Sequence, residues 1–412
     1  MVVERSAERW DAVVAIAVGI FTLVAVEELP IGVLTLMADE LNVTPGIAGL
    51  SVTLPGVIAG AVALAAPSIT RGRDRRLVLV AALVVVAISC VATAVSWNIT
   101  SLLAARALAG IPVGLYWAIM PIAVAGQVSE RRTPLALTIV YAGVGAALVF
   151  GLPLATWLGD VVGWRTSFLA VAALALIVAL MLQLRVMPVI AHTAETIRST
   201  LAAFRIRGIR YPVILSVVIV GGTFITYSYI RPVLLDIAAV PALQISLFLM
   251  VYGVLGLVGN FAAGPIIARS PATAVLILAA GTGLSMLAML LVMSSPLSAM
   301  IIMVAWGLIA GMASVTMQSM VQAGAGERLD AGTALNSAAF STSIALGALI
   351  GGQLVDHLGL RAPLWTSMVC MLAAVLIVLQ FLRGEASSGA KAGGRADARR
   401  TPESGISRTL DA

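Results

Sequence analysis

The chain has 412 residues, of which 60% are hydrophobic and 11% charged, with a mean hydropathy of +1.07. A soluble globular chain is about 45 to 50% apolar and 25% charged, so a string of soluble domains is excluded and a polytopic membrane protein is indicated. The net charge of +6 does not point to nucleic acid, because the basic residues are dispersed over short connections rather than gathered in one patch.

Apolar runs of about 20 residues, the length that crosses a bilayer, recur along the chain. They predict twelve helices, α1 to α12, over 12–37, 46–68, 77–96, 101–126, 134–157, 167–187, 212–235, 244–267, 272–294, 297–322, 331–355 and 362–382. The expected fold is an all-α membrane protein of twelve transmembrane helices in two six-helix bundles. The N-terminal bundle covers 1–187 and the C-terminal bundle 212–383, with a more polar connection at 188–211. The last stretch, 384–412, is Gly, Ser, Ala and Arg without an apolar period and is expected to be disordered. No cleavable leader is expected, since the first apolar run is too long and lacks a small-residue cleavage site.

Within α1 two carboxylates stand side by side, Glu27 and Glu28, with Pro30 behind them. The run is centred near residue 24, which puts Glu27 about 4 to 5 Å from the bilayer midplane at 1.5 Å per residue. A carboxylate there costs roughly 2.5 to 3.5 kcal/mol. It is tolerated where it faces water, meets a partner or takes up a proton, so the pair reads as a proton-loading site. Helical neighbours point about 100° apart, and the two glutamates are expected to do different jobs. Glu28 shares its face with Gly32 and Thr35, Glu27 with Ile20 and Ile31. The small polar face leans toward Glu28 as the cavity residue.

The α2–α3 connection carries Asp74, Arg75 and Arg76. All but four of the 25 basic residues fall on the side of the termini; Arg165, Arg231 and Arg361 lie on the other side and Arg106 within α4. By the positive-inside rule both termini are expected to be cytoplasmic. Arg106 opens α4 at a depth comparable to the glutamates and is expected to pair with one of them as an electrostatic switch. Further along α4 come Tyr116 and Trp117. Helix α5 holds Tyr141, then Gly143, Gly151, Pro153 and Gly159, small residues and a proline that suit close packing and a bend.

In the second half, α7 carries Phe224, Tyr227 and Tyr229 and closes with Arg231-Pro232, a candidate gate or anchor at the outer mouth. Trp306, Gln318 and Gln322 lie in α10, Asn260 in α8, and Asn336, Ser337 and Ser341 in α11. These groups are uncharged hydrogen bonders at membrane depth, suited to a neutral polar solute or to interhelical bonding. Rings with a polar tip, at Tyr116, Trp117, Tyr141, Tyr227 and Tyr229, could sandwich a planar compound. Cys90 and Cys370 read as packing residues. With His192 and His357 they form no metal spacing, and neither a metal nor a cofactor is expected. No nucleophile or cofactor motif is found, so an enzyme is not expected.

The two halves resemble each other. Ala65-Ala66-Pro67-Ser68-Ile69-Thr70-Arg71 is answered by Ala263-Gly264-Pro265-Ile266-Ile267-Ala268-Arg269, and Asp160-Val161-Val162-Gly163-Trp164-Arg165 by Asp356-His357-Leu358-Gly359-Leu360-Arg361. A duplicated six-helix unit is typical of secondary transporters, with the substrate site between repeats near the midplane.

Twelve helices in two halves, an Arg-rich α2–α3 connection, Arg106 with Gly110 and Gly114, and the α5 glycines with Gly163-Trp164-Arg165 resemble the major facilitator superfamily, in its drug:proton antiporter branch. The α2–α3 connection departs from the usual pattern, reading Ala66-Pro67-Ser68-Ile69-Thr70-Arg71 where Gly and Asp are expected. Val26-Glu27-Glu28-Leu29-Pro30, Tyr229-Ile230-Arg231-Pro232-Val233 and Trp306-Gly307-Leu308 are similar to the superfamily's bacterial purine ribonucleoside exporters. That resemblance implies proton-coupled efflux of nucleosides such as inosine and guanosine by alternating access, with sugar or amphipathic drug export as the alternative. It matches the family's α1 carboxylate to Glu27, while Glu28 stands where the relatives have an apolar residue. The partners expected are a small-molecule substrate, protons and the lipid bilayer of a bacterial cytoplasmic membrane, with the monomer as the working unit.

Overall fold

The computed structural model describes residues 8–70, 72–189 and 197–398. Arg5, Arg71, His192 and residues 399–412 lie outside the described residues. All twelve expected spans form helices: α1 Trp10–Gly32, α2 Pro45–Ala66, α3 Arg75–Ala94, α4 Ile99–Ala125, α5 Leu135–Val162, α6 Trp164–Arg185, α7 Arg207–Tyr227, α8 Ala242–Arg269, α9 Pro271–Leu291, α10 Pro296–Val321, α11 Ala331–Leu358 and α12 Ala362–Gln380. With this apolar length each can span a bilayer, and the chain is a multi-pass membrane protein.

Several boundaries differ from expectation, among them the end of α7, at Tyr227 rather than 235, and of α5, at Val162 rather than 157. The α1 helix stops at Gly32, and a separate seven-residue helix, Leu34–Glu40, follows. The connection between the halves is partly helical, over Ile197–Ala203, and α7 begins at Arg207, since Pro212 is accommodated near the helix start. Beyond Gln380 the last helix continues to Ala398, so residues 384–398, expected to be disordered, are helical. Alanine, the strongest helix former, recurs through that stretch.

The duplication is visible in backbone detail. Val33 breaks α1 at φ −115° and ψ 16°, and Tyr229 breaks α7 at φ −116° and ψ 20°; each is followed by a seven-residue helix, Leu34–Glu40 and Ile230–Asp236. Capping boxes start α4, through Asn98 and Ser101, and α10, through Ser295 and Ser298. The turns after α5 and α11 both need a left-handed glycine, Gly163 at φ 109° and Gly359 at φ 84°.

Each half has its own apolar core, one around Ile16, Leu23, Tyr116 and Phe168, another around Tyr227, Phe248, Met303 and Trp306. The halves meet through small residues. On α2, Gly56 and Gly60 face Ala345 and Thr342 of α11; Gly253 of α8 lies on the Leu148 carbonyl of α5. There α5 widens into one π turn, Ala147–Gly151, with the Leu152 N–H bonded to Ala147 O. Pro153, which has no N–H to give Val149 O, lies just beyond.

Candidate functional site between the two halves

The site begins with backbone accounting. Pro30 cannot donate to the carbonyl four residues earlier, Val26, and Pro55 cannot donate to Ser51. Both orphan carbonyls are taken by Arg106: Nη2 donates to Val26 O at 3.1 Å and Nε to Ser51 O at 3.0 Å. The guanidinium is 1% exposed and lies 5.7 Å from the Phe168 ring centroid. The ion pair expected between Arg106 and a glutamate is not formed. Nε and Nη2 are committed to α1 and α2 backbone, which fastens three helices at one point, while Nη1 is buried without a hydrogen-bond partner. Arg106 stays close enough to Glu27 for the charges to interact.

The two glutamates part company. Glu27 Oε2 accepts from Trp117 Nε1 at 3.3 Å, and the Trp117 ring lies 6.4 Å from that of Tyr141. Glu27 therefore belongs to the N-terminal half. Glu28 is 9% exposed, its Oε2 has no hydrogen-bond partner, and it shares a cavity with Phe224, Ser341 and Ile344 of the other half. Both line a small cavity of about 20 Å³ walled by Ile31, Val52, Phe224 and Ile344, with Arg106 at its edge. That volume suits about one water molecule. A larger hollow of about 510 Å³, lined by Arg73, Leu77, Val85, Ile111 and Leu115, touches neither glutamate.

Behind Phe224, which lines the glutamate cavity, stands an aromatic cluster. Tyr227 and Tyr252 stack at 5.1 Å, Trp306 meets Tyr252 at 5.0 Å and Tyr227 at 5.8 Å, and Phe224 meets Tyr227 edge-on at 5.3 Å. Trp306 is fully buried and its Nε1 has no acceptor. Tyr252 was not among the residues the sequence singled out; a tyrosine hydroxyl in the middle of α8 was the available signal.

None of the five ring candidates lines the glutamate cavity, whose one aromatic is Phe224, and two of them are tethers. Tyr116 is buried with its hydroxyl donating to Ile16 O at 3.1 Å, over Gly19 of α1. Tyr229 is buried with its hydroxyl donating to Ala348 O at 2.8 Å, against Gly49, Gly351 and Gly352. Each fits a slot that only glycine leaves open, and each ties helices together. Gln318 and Asn336 likewise satisfy one another: Ser216 Oγ donates to Asn336 Oδ1 at 2.7 Å, Asn336 Nδ2 to Gln318 Oε1 at 3.2 Å, and Gln318 Nε2 to Thr333 Oγ1 at 2.9 Å. This chain bridges α7, α10 and α11 instead of facing the glutamates.

Arg231 leaves its own half altogether. Nη2 pairs with Asp160 Oδ1 at 2.5 Å, Nη1 donates to Gly32 O and Nε to Thr35 Oγ1, both at 2.7 Å. At the same end Asp356 of α11 accepts from Thr44 Oγ1 at 2.5 Å and from the Gly46 N–H at 2.9 Å, at the start of α2. At the opposite end Asp74 caps α3, accepting from the N–H groups of Arg76 and Val189, and pairs with Arg76. Arg75 is buried, with Nη1 donating to Thr70 O. The Asp74-Arg75-Arg76 group thus docks the α2–α3 connection on the segment just after α6. The α5 glycines lie along α1: Gly143 on the Ala17 carbonyl and Ile20, Gly151 on Phe21 and Ala25, Gly159 on Val33.

The family model of the Major Facilitator Superfamily matches residues 16–330. The chain is similar to the purine ribonucleoside efflux pump NepI of Escherichia coli O6:K15:H31, 28% identical over 369 residues, which are 90% of this chain and 93% of the relative. The NepI pump of Salmonella enteritidis PT4 is 28% identical over 374 residues, 91% and 94% of the two chains. Among solved structures, a partially occluded inward-open xylose transporter XylE from E. coli superposes with a TM-score of 0.69 over 91% of this chain and 98% of its own, at 16% identity. That similarity bears on the fold alone.

Proposed function

The chain belongs to the major facilitator superfamily, a family of transporters, and on that premise we propose that it is a proton-coupled exporter of purine ribonucleosides such as inosine and guanosine. The observation that carries the reading is the adjacent pair Glu27, half-buried, and Glu28, buried, at a cavity between the halves, with no salt bridge to either. A membrane-embedded carboxylate without a counter-ion is costly unless it exchanges a proton or meets a substrate. The likeness to NepI supports the nucleoside cargo, and Phe224 at the cavity, with the Trp117–Tyr141 pair beside Glu27, offers flat faces for a purine.

In this reading Glu27 carries the proton. Arg106 acts on it through space and holds α1 and α2 in place through Val26 and Ser51. Transport follows alternating access, in which the two halves rock about the glutamates. Arg231 with Asp160, and Asp356 with Thr44 and Gly46, close one end. The distribution of arginines supports that end as the outer one, with both termini in the cytoplasm of a bacterium. The conformation described is then closed to the outside. The monomer contains the whole site.

The test is gradient-driven uptake of labelled inosine into everted membrane vesicles. Uptake that needs an acidic interior is expected. Gradient-driven uptake of a sugar or a cationic dye, with none of inosine, would keep the transporter and replace its cargo.

A further inference from the structure

Between the end of α6 at Arg185 and the start of α7 at Arg207, the connection forms one short helix among the described residues, Ile197–Ala203. One side of it is accounted for. Thr200 and Ala203 are buried, the helix packs on α2 and α11, and Ala203 belongs to an apolar cluster with Ile209, Val321 and Leu335 that Leu64 of α2 packs against. Another side is not. Ile197, Leu201 and Phe204, spaced i, i+4 and i+7, share one helical face and are 39%, 51% and 37% exposed. Arginines border that stripe, Arg198 and Arg205 beside it, Arg207 and Arg210 at the start of α7. No Asp or Glu occurs from 196 to 235. Arg198, Arg205 and Arg210 are exposed and take part in no ion pair among the described residues. Arg207 lies over the Tyr211 ring, 5.5 Å from its centroid.

Exposed apolar side chains beside four arginines, at the level where two spanning helices leave the bilayer, are the make-up of a helix that lies in the headgroup layer. Resting on the membrane orientation proposed above, we propose that Ile197–Ala203 is a surface anchor for the anionic phospholipids of the inner leaflet. Ile197, Leu201 and Phe204 enter the acyl boundary, and Arg198, Arg205 and Arg210 meet lipid phosphates. The inner leaflet carries the negative surface potential that such a cluster follows, each arginine near it gaining about fivefold in binding. A second copy of the chain would bring the same arginines against these, and like charges set across an interface oppose association. The anchor bears on the seam between the halves, because its buried side rests on α2 of one and α11 of the other. Rocking of the halves therefore shifts the helix against the lipid surface.

The experiment uses the full chain in vesicles of phosphatidylcholine, with or without phosphatidylglycerol. It needs no transported solute, so it stands whatever the cargo. With Cys90 and Cys370 replaced by alanine, a fluorescent dye is attached at Leu201→Cys in the stripe, or at Ala202→Cys about 100° further round the helix. Lipids with a quencher on the acyl chain report contact with the bilayer, and acrylamide reports contact with water. In phosphatidylglycerol vesicles the dye at 201 should be quenched by the lipid and shielded from acrylamide, and the dye at 202 the reverse. The ratio of lipid-bound to water-exposed dye at 201 should fall about tenfold or more in Arg198→Gln/Arg205→Gln, and should fall also at high salt, which screens exposed charges. Equal acrylamide quenching at 201 and 202, or a ratio that neither phosphatidylglycerol nor the double variant alters, overturns the proposal. Shielding of 201 from both quenchers, lifted when the protein is diluted among more lipid, overturns it in favour of a second copy. Labelling of Leu201→Cys by an impermeant reagent outside intact cells would overturn the orientation, and the inner-leaflet assignment with it.

Discussion

Asp160 and Asp356 hold equivalent places in the two halves, five residues before Arg165 and Arg361 respectively, each in the last helical turn before a left-handed glycine, and each bonds across to the opposite half. Asp160 holds Arg231 after α7, and Asp356 holds Thr44 and Gly46 at the start of α2. A repeat noticed as a sequence echo is thus a pair of latches at one end of the molecule. Rocking of the halves must release both.

The Arg231–Asp160 latch is a buried ion pair, and removing one partner of such a pair costs about 3 to 5 kcal/mol. Asp160→Asn is therefore expected to open the Arg231 end. With Cys90 and Cys370 replaced by alanine and a cysteine placed at Thr35, labelling by an impermeant thiol reagent added outside should rise several-fold. Labelling that stays at the level of the parent would argue against a latch.

Arg106 and Pro30 are expected to be energetically coupled, since the arginine fills the carbonyl that the proline leaves empty. Arg106→Gln alone should lower thermal stability in detergent strongly. Pro30→Ala gives Val26 O its helical donor back, so the double variant should be more stable than the sum of the single effects, by about 0.5 to 3 kcal/mol. Strict additivity would mean that the two contacts are independent.

Close approach explains the α5 glycines, and one glycine elsewhere serves as a control. A methyl at Gly143 would overlap the Ala17 carbonyl of α1, whereas one at Gly264 meets nothing within 4 Å. Gly143→Ala should destabilise by about 1 to 3 kcal/mol through overpacking, and Gly264→Ala should be neutral or slightly stabilising, because alanine favours the helix. Melting of the two purified variants side by side checks both.

The spans, the duplication and the two glutamates were legible in the sequence because each leaves a one-dimensional trace: apolar length, an echo of short motifs, charge where charge is costly. The partner of Arg106 was not legible in that way. Side-chain charge suggested a glutamate, but a proline four residues after a helical carbonyl creates an acceptor that carries no charge. Pro30 and Pro55 held that information. Tyr116, Tyr227 and Tyr229 are equivalent on paper. What separates the two tethers from Tyr227, which stacks among other rings, is a glycine on the facing helix, which only the packing reveals. Tyr252 escaped notice because its stacking on Tyr227 depends on the approach of α8 to α7.

The most direct test of proton coupling at Glu27 is the proton flux itself. Everted vesicles are acidified by respiration, a pH-sensitive dye reports the interior, and inosine is added. Inosine should release part of the gradient with the unmodified chain. With Glu27→Gln no release should occur, while exchange of internal for external inosine persists, since the isosteric variant keeps an acceptor for Trp117. Inosine-driven proton release by Glu27→Gln equal to that of the unmodified chain would contradict the assignment.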